Sequence, residues 1–180
     1  MNILWRRRDV PGLEWCELHA RPHRTSLGGV VVMALDDVPW RVDYAIELDS
    51  QWRTRRVTLS AEGGVSPISL ELMTDGAGRW LRDGAVIVDE PDALDVDLAF
   101  SPATNTLPIR RLALAVGESA EIGVAWVQFP SFEVEYGRQT YERLAERRWN
   151  YTSTGFEAEL TVDDDGLVES YAEWEAIARS

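Results

Sequence analysis

The sequence predicts a mainly β fold built around one buried helix. Three observations predict it. Apolar and polar residues alternate with period two through most of the chain. The alternating runs are short and are punctuated by Gly, Pro and Asp turn signals. Clear helical spacing occurs in one segment, where Ile109, Leu112, Ala113 and Val116 recur at intervals of three or four.

The elements follow in order. The start carries Arg6, Arg7 and Arg8, but no long apolar run comes after them, so it does not read as a signal peptide; it reads as a solvated edge. Residues 29–34 are a short apolar run. In 40–48, Trp40, Val42, Tyr44, Ile46 and Leu48 share one strand face. A strand at 54–60 follows Asp49-Ser50-Gln51, and Gly63-Gly64 makes a turn. Strands at 68–73, 79–81 and 85–88 are separated by Asp75-Gly76-Ala77-Gly78 and Asp83-Gly84, both hairpin signals. In 94–100, Leu94, Val96, Leu98 and Phe100 oppose Asp95, Asp97 and Ala99.

The pattern then changes. A loop at 101–106 ends in cap-forming residues, Pro108 stands in a first turn, and Gly117 closes the run, which predicts a helix over 108–116. Its apolar residues lie on most sides, so it belongs inside the sheet. Strands resume at 121–129 and 132–136. Residues 139–151 are ambiguous: Glu142 to Arg147 has a helical composition, whereas Tyr141, Arg143, Ala145, Arg147 and Trp149 alternate, and the Thr-rich flank tips the reading toward strand. Strands at 156–162 and 167–171 flank the turn Asp163-Asp164-Asp165-Gly166, and 172–180 reads as a terminal helical turn. No linker divides residues 1–180, so one domain is expected.

Composition narrows the function. All 18 basic residues are arginine, against 31 acidic residues, for a net charge of -13. The absence of lysine excludes a Schiff-base lysine and a P-loop lysine. The acidic balance argues against nucleic acid and anionic membrane surfaces as partners. No stretch approaches the ~20 apolar residues of a membrane helix, so no membrane insertion is expected. The single cysteine, Cys16, cannot form an internal disulfide, which suits a cytoplasmic location.

Several residue groups could carry chemistry. On a strand, Arg53 and Arg55 would share one face and Trp52 and Thr54 the other; the arginines could hold an anionic head group or pair with Asp43, Glu47 or Asp49. Arg110 and Arg111 leave a helix about 100° apart, so one of them needs a buried partner, for which Asp95 or Asp97 is suited. Asn105 is placed to cap the helix. Asp95 and Asp97 would stand about 7 Å apart on one strand face, a separation that an inverting glycosidase could use, although such pairs usually come from different strands. His19 and His23 lack the context of a metal site, since Pro22 lies between them, and Cys16-His19 has no supporting motif. No metal or cofactor is expected.

Read together, several stretches resemble the glycolipid-binding family of bacterial proteins with a spiral β-roll fold. They are 49–55 (Asp-Ser-Gln-Trp-Arg-Thr-Arg), Gly78-Arg79-Trp80 with Asp83-Gly84, and Asp95-Val96-Asp97-Leu98 leading into Thr104-Asn105-Thr106-Leu107-Pro108-Ile109-Arg110-Arg111-Leu112. Gln139-Thr140-Tyr141, Tyr151-Thr152-Ser153 with Phe156, and Asp165-Gly166-Leu167-Val168 with Tyr171 and Trp174 complete the match in order. Ala172 departs from it where proline is expected, and Ala103 where an aromatic is common. The resemblance implies a highly curved, many-stranded antiparallel sheet wrapped around a single central helix, a homodimer, and a non-enzymatic role in holding a lipid or glycolipid between sheet and helix. The implied site comprises Trp52, Arg53, Arg55, Trp80, Asn105, Arg110, Arg111, Gln139, Tyr141 and Tyr151, with Asp49, Asp95 and Asp97 as ion-pair partners. A small-molecule hydrolase and a ligand-free dimerising scaffold are the alternatives.

Overall fold

The computed structural model describes residues 1–21 and 24–180. Among them, fifteen strands form one sheet. The first eight are β1 (Asn2–Arg7), β2 (Gly12–Arg21), β3 (Arg24–Leu35), β4 (Val38–Leu48), β5 (Thr54–Glu62), β6 (Ile68–Thr74), β7 (Arg79–Arg82) and β8 (Ala85–Asp89). The chain then crosses to the opposite edge as β9 (Ala93–Leu98) and enters α1 (Thr106–Leu112) through a 3-10 turn at Ala103–Asn105. It returns as β10 (Ser119–Val127), β11 (Val134–Ala145), β12 (Arg148–Ser153), β13 (Phe156–Val162), β14 (Val168–Tyr171) and β15 (Trp174–Arg179).

The spatial order runs from β8 down to β1, then β15 down to β9. The two ends of the chain therefore pair in the middle of the sheet, with Ile3 opposite Arg179 and Arg7 opposite Trp174. Neighbours are antiparallel except β9 and β10, which run parallel because the crossover from β8 delivers β9 in that sense. Tight hairpins drive the meander. Asp36 and Asp37, both with positive φ, join β3 to β4, as a two-residue turn matched to strand twist requires.

The sheet rolls until its edges approach. The Val96 N–H donates to Thr54 Oγ1 at 3.1 Å, so β9 lies across β5. The expected alternation of 40–48 holds: Trp40, Val42, Tyr44, Ile46 and Leu48 all face the interior. The first half of α1, Thr106 to Ile109, is buried within the roll, while Arg110 is exposed. Among the described residues, no helix is long and apolar enough to cross a membrane.

Several expectations are corrected. The helix ends at Leu112, earlier than Gly117, because Ala113 adopts φ 47 and its N–H turns back to the Ile109 carbonyl. Residues 172–180 form no helix: β15 fills the position between β1 and β14, and hydrogen bonding to both overrides a helix-compatible composition. Ala172, at φ 47, makes the tight turn into it, a conformation closed to the proline expected there. The basic start is β1, and Arg6 and Arg8 reach Glu175 on β15. Phe132 lies in the turn before β11, not in a strand. Residues 139–151 are the end of β11, a turn at Glu146-Arg147, and the start of β12. Cys16 points inward and His19 outward from β2, which separates them; His23 lies outside the described residues.

Candidate functional site

The crossover β9 brings two carboxylates to α1. Asp95 is fully enclosed, and Arg111 donates to it from Nε at 3.0 Å and from its terminal nitrogen at 2.6 Å. Burial pushes the Asp95 carboxyl above its ordinary range, and the guanidinium works against that push. Asp97 is held differently. Its carboxylate accepts from Thr104 Oγ1 at 3.1 Å and from Gln139 Nε2 at 2.6 Å, with no arginine bonded to it. Burial again raises its pKa, and the two neutral donors oppose this only in part.

Asn105 sits beside this pair. Its side chain makes no helix cap, contrary to expectation, because the 3-10 turn leaves Asn105 itself in helical conformation. Instead Nδ2 donates to the Pro102 carbonyl at 3.2 Å, and Oδ1 accepts from the Tyr141 hydroxyl at 2.8 Å. Tyr141 is enclosed, and burial holds its hydroxyl well above the usual phenol range.

Asp97 and Asn105 face a groove of about 700 Å³ between the start of α1 and the last strands. Asp97, Ser101, Asn105 and Gln139 supply its polar floor. Tyr136, Tyr151, Tyr171 and Trp174 form its walls, and Trp126 and Phe156 stand exposed at its rim. Tyr151 meets Tyr141 and Tyr171 edge to face, with centroids 5.2 and 5.8 Å away, so the walls are packed against one another. Size and lining match the usual small-molecule cleft: mostly apolar, with a few convergent polar groups.

Behind the floor lies a buried acid that sequence reasoning missed. Glu14 Oε1 accepts from Tyr44 at 2.5 Å and from Ser101 at 2.6 Å, while Oε2 has no partner among the described residues. Desolvation pushes this carboxyl up to about 8 and also raises the neighbouring Cys16 thiol. Its signal was available: Glu14 is in phase with Cys16 and Leu18 on β2.

The chain belongs to a known family. Residues 2–176 match the family described as "Putative glycolipid-binding". The family is thus represented here over almost the whole chain. A crystal structure of a DUF1089 family protein from Pseudomonas aeruginosa is similar, with 32% identity, TM-score 0.78, and coverage of 88% of this chain and 89% of that one. A beta-barrel-like protein of a domain of unknown function, DUF1849, from Brucella abortus has 7% identity and TM-score 0.50, over 98% and 96% of the two chains, and so shares the fold. None of the curated proteins matches.

Within this family member the expected site residues part company. Asn105, Gln139 and Tyr151 line the groove, and Tyr141 supports it from behind. Arg111 is taken up by Asp95, and the groove does not include Asp95, so the two carboxylates do not face a cleft together. Trp80 is fully enclosed, donating to the Ala93 carbonyl at 2.7 Å. Trp52 and Arg53 precede β5 and do not alternate as strand residues, because Trp52 has φ 66. Arg53 Nε donates to Asp49 at 2.8 Å, and Arg55 donates to the Asp75 carbonyl. Trp52 and Arg110 meet at a second cavity, at the C-terminal end of α1.

Proposed function

We propose that the protein binds an amphiphile in the larger groove, with an uncharged, hydroxyl-bearing head against Asp97, Asn105 and Gln139 and an apolar tail along the aromatic walls. The observation that carries this reading is the state of Asp97. A carboxylate has about four acceptor positions, and among the described residues only two neutral donors are engaged here. Ligand hydroxyls can use what remains. An anionic head would instead meet Asp97 and Glu135, while Arg138 beside them is already paired with Glu121. The family's description as glycolipid-binding supports the same choice.

A homodimer in a reducing cytoplasm belongs to the same proposal. Leu13, Trp15 and Val32 are exposed on the outer face of β2 and β3, and Leu13 stands opposite Val32, which gives a second copy an apolar strip to cover. Cys16 is a buried free thiol.

The test is titration with dodecyl maltoside below its micellar concentration, followed by calorimetry, alongside native mass spectrometry of the freshly purified protein. Saturable binding that Gln139→Ala and Trp126→Ala each weaken about tenfold or more is expected. No saturable binding, or binding indifferent to both substitutions, overturns the proposal.

A further inference from the structure

The cavity at the C-terminal end of α1 has a different chemistry. It encloses about 430 Å³, with Ile109, Trp149 and Val162 as apolar wall and Trp52 and Arg110 at its rim. Arg110 is unusual among the arginines of this acidic chain. Fourteen of the others lie within salt-bridge distance of a carboxylate. Arg55 and Arg143 donate to backbone carbonyls, and Arg21 adjoins the undescribed residues. Among the described residues, Arg110 has an aromatic ring as its partner and no acceptor: its guanidinium carbon lies 4.8 Å from the Trp52 ring centroid.

That stack holds the group in place without using its donors. A guanidinium lying on a ring keeps its N–H bonds in its own plane, where a carboxylate can take two of them. The stem is fixed on the other side as well: a Cβ built at Gly166 would stand 3.0 Å from Arg110 Cδ. Trp52 is itself held rigidly. Its φ of 66 is rare for a bulky side chain, and strain of this kind collects at ligand clamps. Asp49 maintains it by accepting from the Gln51 N–H at 2.9 Å and from the Arg53 N–H at 3.0 Å.

The other charges around the cavity are already engaged, with one exception. Arg147 pairs with Asp164, Arg143 bonds the Leu114 and Glu146 carbonyls, and Asp163 accepts from the Asp165 and Leu167 N–H groups and from Arg179. Among the described residues, Glu146 is the lining carboxylate without a bonded partner, and Arg110 is the cation without one.

We propose that this cavity is a second binding site, independent of the groove, for a monoanionic carboxylate carried on an apolar body, with Arg110 as its anchor and Trp52 as its platform. The competing role for Arg110 is purely structural: a cation in the last turn of α1 stabilises the helix C-terminus. The two roles make different predictions.

The test is calorimetric titration of the full-length protein with decanoate below its micellar concentration, with the Tm of every variant recorded. Saturable binding is expected, weakened at least tenfold by Arg110→Gln and unchanged within twofold by Gln139→Ala, which reports on the larger groove. Inorganic phosphate, lacking an apolar body, is expected to bind at least tenfold more weakly than decanoate. The proposal is overturned if decanoate does not bind saturably, if phosphate binds as well, or if Gln139→Ala rather than Arg110→Gln abolishes binding. It is also overturned if Arg110→Gln lowers Tm while leaving decanoate affinity intact, the signature of the structural role.

Discussion

Arg111 and Asp95 form the least exposed ion pair among the described residues, joined at 2.6 Å with the Asp95 side chain fully enclosed. It ties the last turn of α1 to the crossover strand. Breaking a buried pair from one side is costly because it strands the other charge. Arg111→Leu is therefore expected to destabilise the fold by about 3–5 kcal/mol. Adding Asp95→Leu should recover a large part of the loss. Urea denaturation of the two variants checks this; a double variant as unstable as the single one would contradict it.

Glu14 sets a pH dependence. Its carboxyl is raised to about 8 in the folded protein, whereas an unfolded glutamate titrates near 4.3. Between those values the folded state keeps a proton that the unfolded state has released. Stability therefore falls as pH rises from about 4.3 to about 8, by up to about 1.4 kcal/mol per pH unit, and levels off above. Burial raises Asp95 and Asp97 too, and their contributions have the same sign. Asp49 is lowered by its bonds from Arg53, although burial opposes them, so its stabilisation is present at neutral pH and is lost only on acidification. Tm measured from pH 5 to 8.5 should decline in the wild type and be flatter in Glu14→Gln. Parallel curves would show that Glu14 does not control this window.

The same residue shows what the sequence concealed. Strand β4 was legible because its inward positions, Trp40 to Leu48, are all apolar or aromatic, while Arg41, Asp43 and Glu47 alternate with them on the outer face. Strand β2 inverts that rule: Glu14 faces the core while Leu13 and Trp15 face out, at 45% and 43% exposure. Periodicity puts Glu14 in phase with Cys16 and Leu18, but what accepts its burial there, the Tyr44 and Ser101 hydroxyls, comes from residues far away in the chain. Strand β15 stayed hidden for a related reason. It lies mid-sheet, yet its charges are met from other segments: Glu175 by Arg6 and Arg8, and Arg179 by Asp163 and Glu169. At the site, Asn105, Gln139 and Tyr151 were reachable through the family motifs. The arginines were not sorted, because whether a guanidinium is engaged or available is set by tertiary partners: Asp95 takes Arg111, while its neighbour Arg110 lies on Trp52.

The crossover into β9 depends on a glycine. Gly78 has φ +100, and a Cβ there would stand 1.9 Å from the Glu90 carbonyl oxygen. The Gly78 carbonyl also accepts from the Glu90 N–H at 3.1 Å, so the two segments cannot move apart without losing that bond. Gly78→Ala thus combines a disfavoured dihedral with a backbone clash. A loss of about 2–4 kcal/mol is expected, larger than ordinary surface substitutions give. Gly155 makes the control: its φ is +75, but nothing lies within 4 Å of an added Cβ. Gly155→Ala should cost about 1 kcal/mol, from dihedral strain alone. Equal losses in the two variants would mean that the approach of Gly78 to Glu90 does not limit stability.

Tyr141 separates support of the groove from support of the core. Its hydroxyl is buried and donates to Asn105 Oδ1 at 2.8 Å. Tyr141→Phe keeps the ring against Tyr151 but leaves that oxygen without its donor, at a cost of about 1–3 kcal/mol. Asn105 is then free to swing away from the groove floor, so affinity for dodecyl maltoside should fall several-fold. Trp80→Phe is the comparison. It removes the bond to the Ala93 carbonyl and some packed volume, and should cost a similar few kcal/mol. Trp80 lies outside the groove lining, so its substitution should leave affinity unchanged within twofold. If both variants lose stability and affinity in step, the effect on binding is a consequence of general loosening. If Tyr141→Phe alone loses affinity, the hydroxyl holds Asn105 in its binding position.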